Sequence, residues 1–321
     1  MPNTHPPAIR ISGLHKSFKD NRVLRGIDLD IPSGTVFALL GPNGAGKTTV
    51  INILTTLLAP DAGTVRVAGH DVVADPDAVR ASIGVTGQFA AVDALLTGEE
   101  NLRMMARLAH LDKKRAKTRI AELLDRFDLA DARYPSGGYS GGMRRRLDLA
   151  MSLMLDPDIV FLDEPTTGVD PRGRVIMWDI VRDLAEQGTT IFLTTQYLEE
   201  ADQLASRVAV LAEGRIVADG TPAELKRRVG SGHLVLELPT PEALDTAARL
   251  LPAAMTNAGT LSLRVNEGTD PSTVRDLLVR LDDARVPVAN LEIVTPDLDD
   301  VFFSLTGAPR NRTDTIPENR A

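Results

Sequence analysis

Residues 35–54 read "TVFALLGPNGAGKTTVINIL", and the order of residue types along this stretch decides the fold. "TVFALLGP" is a short, continuously apolar run, the pattern of a strand buried on both faces of a parallel sheet. After the glycines, Val50, Ile53, Leu54 and Leu57 fall on one helical stripe, so a strand, a glycine-rich turn and a helix follow one another. The turn spans Gly41, Pro42, Asn43, Gly44, Ala45, Gly46, Lys47, Thr48 and Thr49, and it satisfies the phosphate-binding-loop pattern. Glycines let backbone N–H groups converge on phosphate oxygens, Lys47 reaches the β- and γ-phosphates, and the Thr48 hydroxyl is placed to ligate Mg²⁺.

Outward from this unit the chain alternates strands and helices, an α/β pattern. Residues 8–31 read as two strands around "FKDNR", "IVFLDEP" and "TTIFLTT" as further buried strands, and "RVAVLAEGRIVADG" as a hairpin turning on Glu213 and Gly214. Residues 97–127 read as a helical insert, with Thr97 and Glu100 as a capping box and Ile120, Leu123, Leu124 and Phe127 at helical spacing. From about residue 232 the texture changes. Alternating "HLVLEL", "TLSLRV" and "VANLEIV" enclose helical segments at 241–251 and 271–284, which describes a small α+β domain over 231–307. The polar tail 308–321 is expected to be disordered.

Two further motifs carry chemistry. The "IVFLDEP" strand ends on adjacent carboxylates: Asp163 is suited to organise a Mg²⁺ shell, and Glu164 to orient and deprotonate an attacking water. In "YSGGMRRR", Ser140 is a candidate helix cap whose hydroxyl, with the amides of Gly141 and Gly142, makes an anion-binding helix start. Arg144 to Arg146 and "KKRAKTR" at 113–119 read as solvated helix faces, and Trp178 as a core residue.

Composition closes off other classes. The 321 residues are 43% hydrophobic and 25% charged with a net charge of −8, which provides no basic field for nucleic acid. Without cysteine there is no disulfide, thiolate nucleophile or cysteine-ligated zinc. The start "MPNTHPPAIR" lacks the apolar run of a signal peptide, and no stretch approaches the ~20 apolar residues that span a bilayer, so any membrane role is expected to be peripheral.

The phosphate loop, "YSGGM", "FLDEP" and "TTGVDP" occur in an order that resembles the ATP-binding-cassette family from residue 8 to about 225. "GQFAAVDALLTGEENL", "TTQYLEEADQLA" and "DLDDVFFSLTG" are similar to the ATP-binding subunits of actinobacterial daunorubicin-resistance exporters. The resemblance implies a P-loop nucleotide-binding domain over 1–230, with a mixed sheet and a helical subdomain at about 89–150, that binds and hydrolyses ATP with Mg²⁺. Phe18 matches the position that stacks on adenine. Gln88 matches the glutamine that touches Mg²⁺ or water and senses the membrane partner, and Asp170 lies in the loop that crosses between two cassettes. Ser140, Gly141 and Gly142 would complete the site of a second copy, two chains enclosing two ATP head to tail.

The implied setting is the cytoplasmic face of the cell membrane, beside a separate integral-membrane permease that exports drugs or other amphipathic compounds. Glu99 and Glu100 are either contacts for a basic segment of that permease or solvated helix-start carboxylates, and the C-terminal domain is expected to assist assembly. The alternative is a soluble cassette ATPase of translation or DNA maintenance, although such proteins usually carry two cassettes or a long coiled coil. A third reading makes the C-terminal domain a ligand-binding regulator. One departure stands out at "TTQYLEEAD": the family usually places a histidine where this chain has Gln196, and no histidine lies between His110 and His233 to replace it. Gln196 can still donate to a γ-phosphate through its amide, but it cannot carry charge.

Overall fold

The computed structural model describes residues 6–87, 91–229, 232–266, 269–294, 297–298 and 300–302. Gln88 and the tail 308–321 lie outside the described residues. The chain divides into two compact units, Met1–Pro222 and Ala223–Ala321.

In the first unit, the apolar runs pair as expected of strands covered on both faces. The six-stranded sheet has the order Arg215–Gly220, Arg207–Ala212, Val36–Leu40, Thr190–Thr195, Ile159–Asp163 and Ile83–Thr86. All neighbours are parallel except the edge hairpin, whose turn residues Glu213 and Gly214 have φ of 49° and 75°. Positive φ at both centres gives the twist that a two-residue hairpin needs. Phe37, Phe192 and Phe161 stand in register across three strands, with ring centroids 5.5 and 5.6 Å apart.

A second, antiparallel sheet orders Asn21–Ile31, Ile9–Phe18, Ala62–Val67 and His70–Asp71. Its buried Ile9, Ile11, Leu14, Ile27 and Ile31 share one core with Phe37, Phe161 and Phe192 and with Val50, Ile51, Ile53 and Leu54 of the helix Lys47–Leu54. The phosphate-loop helix is thus held in the same core as both sheets. Its stripe stops earlier than the sequence spacing predicts: Leu57 is 72% exposed, because the helix ends at Leu54 and Thr56 turns to φ 63°.

The helical insert comprises Gly98–Leu108 and Lys113–Arg126. Thr97 and Glu100 form the capping box, and Ile120, Leu123 and Phe127 are buried. Glu100 is bonded within that box and Glu99 pairs with Arg103, and both carboxylates are exposed. Thr97→Ala should lower the stability of this unit by about 1 kcal/mol, the usual cost of a lost N-cap. Chemical denaturation would read this as a fall in midpoint at constant m-value.

The second unit orders its strands Met255–Asn257, Ser262–Val265, His233–Glu237 and Asn290–Val294, all antiparallel, with helices Pro241–Leu250 and Pro271–Asp283. This βαββαβ order is the ferredoxin-like arrangement. Leu234, Leu236, Leu263 and Val265 turn one sheet face to Leu244, Ala247, Leu277 and Leu281 of the helices. The edge strand Met255–Asn257 has no counterpart in the sequence reading: all three residues are exposed, so no alternation marks it.

Candidate nucleotide site

Three adjacent parallel strands, Val36–Leu40, Thr190–Thr195 and Ile159–Asp163, end on one edge of the large sheet. They deliver Gly41, Gln196 and Glu164 there, where open α/β sheets bind their ligands. The loops are tied across: Gly41 N donates to Thr195 O at 3.3 Å and Glu164 N to Thr194 O at 3.1 Å.

The phosphate loop wraps an open pocket of about 410 Å³ lined by Asn43, Gly44, Gly46, Lys47, Thr48, Thr49 and Glu164. Glycine is required at two points for different reasons. A Cβ on Gly41 would lie 2.5 Å from Leu211 O, and Gly46 has φ 109° with Leu24 Cδ2 2.8 Å from its would-be Cβ. Lys47 is only 5% exposed; its Nζ donates to Gly41 O at 2.8 Å and Pro42 O at 3.2 Å, and stands 3.2 Å from Glu164 Oε1. The expected phosphate anchor and the expected base therefore face one pocket.

Beneath them, Thr48 Oγ1 donates to Asp163 Oδ2 at 3.0 Å and Thr194 Oγ1 to Asp163 Oδ1 at 2.5 Å. A buried carboxylate beside a threonine hydroxyl is an all-oxygen donor set. It fits Mg²⁺, which takes one or two carboxylates and fills its shell with water and phosphate. Glu164 has φ 49°, a left-handed conformation that costs a non-glycine residue about 1–3 kcal/mol unless its surroundings impose it. Its Oε2 accepts from Thr167 Oγ1 at 3.3 Å.

Besides the bond from Glu164 N to Thr194 O, the backbone around it is held by Arg145. The sequence places this residue in a solvated cluster, but only Arg144 of the three is exposed; Arg145 is buried, and Arg146 bonds Phe127 O and Asp128. Arg145 reaches Asp163, Glu164 and Pro165 through their carbonyls, Gly87 O, and the Asp148 carboxylate. Burial pushes the Asp148 carboxyl up, against the pull of its bond from Ala91 N and of Arg145. Alternation and helical spacing carry no trace of this, since a run of three arginines looks the same whichever one packs inward. Of "KKRAKTR", Lys113, Lys114, Arg115 and Lys117 are exposed as expected, whereas Arg119 is half-buried and bonds Leu153 O at 2.8 Å and Asp156 at 2.5 Å.

The pattern of relatives agrees with this geometry. The profile described as ABC transporter matches residues 24–167. The chain is 49% identical to the daunorubicin/doxorubicin resistance ATP-binding protein DrrA of Streptomyces peucetius over 98% of this chain and 97% of that protein. It is 42% identical to the doxorubicin resistance ATP-binding protein DrrA of Mycobacterium tuberculosis over 94% of each chain. The chain belongs to the ABC transporter family. A solved ATP-binding subunit of an ABC transporter superposes with a TM-score of 0.62 at 26% identity, covering 69% of this chain and 92% of that one.

As an ABC ATP-binding subunit the chain is an ATPase, and its remaining motif residues take these positions. Ser140 caps the helix Gly141–Ser152 through Met143 N at 3.2 Å. Gly141 and Gly142 lie beside the "GVDP" turn: Cβ atoms on them would come within 4 Å of Gly168 O and Val169 Cγ1. Asp170 caps Pro171–Glu186 through Gly173 N at 2.9 Å. None of these lines the phosphate pocket of its own chain. Phe18 is 48% exposed with Lys16 Nζ 5.8 Å from its ring centroid, so its face is not consumed by sheet packing.

Gln196 is half-buried and its side chain makes no hydrogen bond to a described residue. It does not cap the next helix: Leu198–Leu204 starts from Tyr197 without a side-chain cap, and the Thr195 hydroxyl takes Tyr197 N at 2.9 Å. The sequence reading missed Glu200 in that helix. It is fully buried, burial pushes its carboxyl up, and Trp178 Nε1, itself in the core as expected, approaches Oε1 at 3.4 Å.

Proposed function

We propose that this chain powers the export of drugs or other amphipathic compounds through a separate integral-membrane subunit, working at the cytoplasmic face of the membrane. The observation that carries its ATPase part is the convergence of Lys47 and Glu164 on one pocket above Asp163 and Thr48. The drug-resistance names of relatives aligned over nearly the whole chain support the export role. No described helix is long and apolar enough to cross a membrane, which fits a channel supplied by another chain. The rival reading, a soluble ATPase of translation or DNA maintenance, has no support among these relatives.

In this mechanism the loop amides from Gly41 to Thr49 and Lys47 Nζ bind the ATP phosphates, and Phe18 stacks on adenine. Thr48 and Asp163, with Gln88, would hold Mg²⁺, which would offset the charge of the β- and γ-phosphates. Glu164 takes the proton of the attacking water as it adds to the γ-phosphate. Gln196, between the other two loop ends, donates its amide N–H to a γ-phosphate oxygen. Ser140, Gly141 and Gly142 of a second copy close the site across the pocket, and Asp170 lies at the crossing. Their absence from the lining of their own pocket supports this head-to-tail arrangement. The second unit, with no catalytic constellation among its described residues, serves assembly.

Inverted vesicles containing both chains test the reading. ATP-dependent uptake of an anthracycline should require this chain and the membrane subunit together. Gln196→Ala should lower turnover about 10- to 160-fold, because a hydrogen bond to a charged group contributes about 1.5–3 kcal/mol. Gln196→His should restore or exceed the wild-type rate. Uptake without this chain, or its copurification with ribosomes or DNA, would reject the export role. Alanine matching wild type at saturating Mg-ATP would remove Gln196 from the γ-phosphate.

A further inference from the structure

A guanidinium has five N–H donors in a rigid plane, and all five of Arg145 are used. Nε donates to Pro165 O at 2.9 Å; Nη2 donates to Asp163 O at 3.0 Å and Glu164 O at 3.3 Å. Nη1 donates to Gly87 O at 2.6 Å and to Asp148 Oδ2 at 3.4 Å. Asp148, three residues further along the same helix and also buried, accepts Ala91 N at 2.9 Å through its other oxygen. One helix, the one that Ser140 begins, therefore grips the backbone on both sides of residues 88–90 and the carbonyls of three consecutive residues around Glu164.

We infer that Arg145, braced by Asp148, is a positioning residue for hydrolysis: it sets the Glu164 carboxylate and links it mechanically to the flanks of Gln88 and to the helix bearing Ser140. The physical need is specific. Glu164 sits in a left-handed backbone conformation, and the bonds to its own carbonyl and to those before and after it leave that peptide little freedom. Misplacing a reacting group by about 1 Å can cost about 100-fold in rate. Lysine offers three donors from a single point, so it cannot span carbonyls held by three edges of a plane. The inference rests on Glu164 being the base and deepens that reading.

The test is steady-state ATPase kinetics of the full chain with its membrane subunit, for Arg145→Gln, Arg145→Lys, Asp148→Asn and, in parallel, Glu164→Gln. Arg145→Gln is expected to lower kcat about 10- to 100-fold, with KM for ATP changed less than about threefold, since no Arg145 atom enters the phosphate pocket. Lysine should recover only part of the loss, and Asp148→Asn should show a smaller loss in the same direction. A wild-type kcat in Arg145→Gln, or a loss carried entirely by KM, would overturn the inference. If Arg145→Gln melts before it can be assayed, Asp148→Asn decides: a normal kcat there overturns the link equally. Should Glu164→Gln turn over normally, the base assignment itself fails, and that outcome is distinct from a normal Arg145→Gln beside a slow Glu164→Gln.

Discussion

Glu164→Gln is expected to lower ATP turnover about 10²- to 10⁴-fold, the range a positioned general base contributes, while ATP still binds. The substitution is nearly isosteric and keeps an oxygen to accept from Thr167 Oγ1, so the loop geometry and the Arg145 grip on its backbone persist. What it removes is the ability to take a proton from water, together with the negative charge 3.2 Å from Lys47 Nζ. In the proposed head-to-tail pair, which would open only after hydrolysis, ATP should trap a dimer of this variant. Size-exclusion chromatography with and without Mg-ATP, beside a phosphate-release assay, measures both effects. Wild-type turnover with the membrane subunit present would show that another group is the base.

Lys47→Ala is expected to weaken ATP binding and turnover together. Hydrogen bonds to charged groups contribute about 1.5–3 kcal/mol each, and an ammonium facing the β- and γ-phosphates makes at least two, so about 10²- to 10⁴-fold in affinity is at stake. A second cost arises within the protein: Glu164 Oε1, 3.2 Å from Lys47 Nζ and 9% exposed, loses its counter-charge in a buried setting. Fluorescent-nucleotide titration should therefore show a loss that Lys47→Arg does not repair, because a planar fork does not fit between Gly41 O and Pro42 O. Retained affinity in the alanine variant would remove Lys47 as the phosphate anchor.

The sequence by itself determined whatever a local pattern encodes. The apolar run before Gly41, the glycines and the helical stripe defined strand, loop and helix. The Thr97–Glu100 box, the Glu213–Gly214 turn and the Ser140 cap each lie within four residues of their partners, so their chemistry is written in adjacent letters. Alternation likewise marked three of the four strands in the second unit. Tertiary structure alone decided the rest. The pairing of Thr190–Thr195 between Val36–Leu40 and Ile159–Asp163 put Gln196 between the phosphate loop and Glu164, across separations that no spacing rule reads. Packing drew Arg145 inward from a run of three arginines, turned Glu99 onto Arg103, and left Leu57 outside although its period pointed in. Periodicity is a property of one segment, whereas desolvation depends on what distant segments lay upon it, and a charged side chain enters the interior only where those segments bring it acceptors.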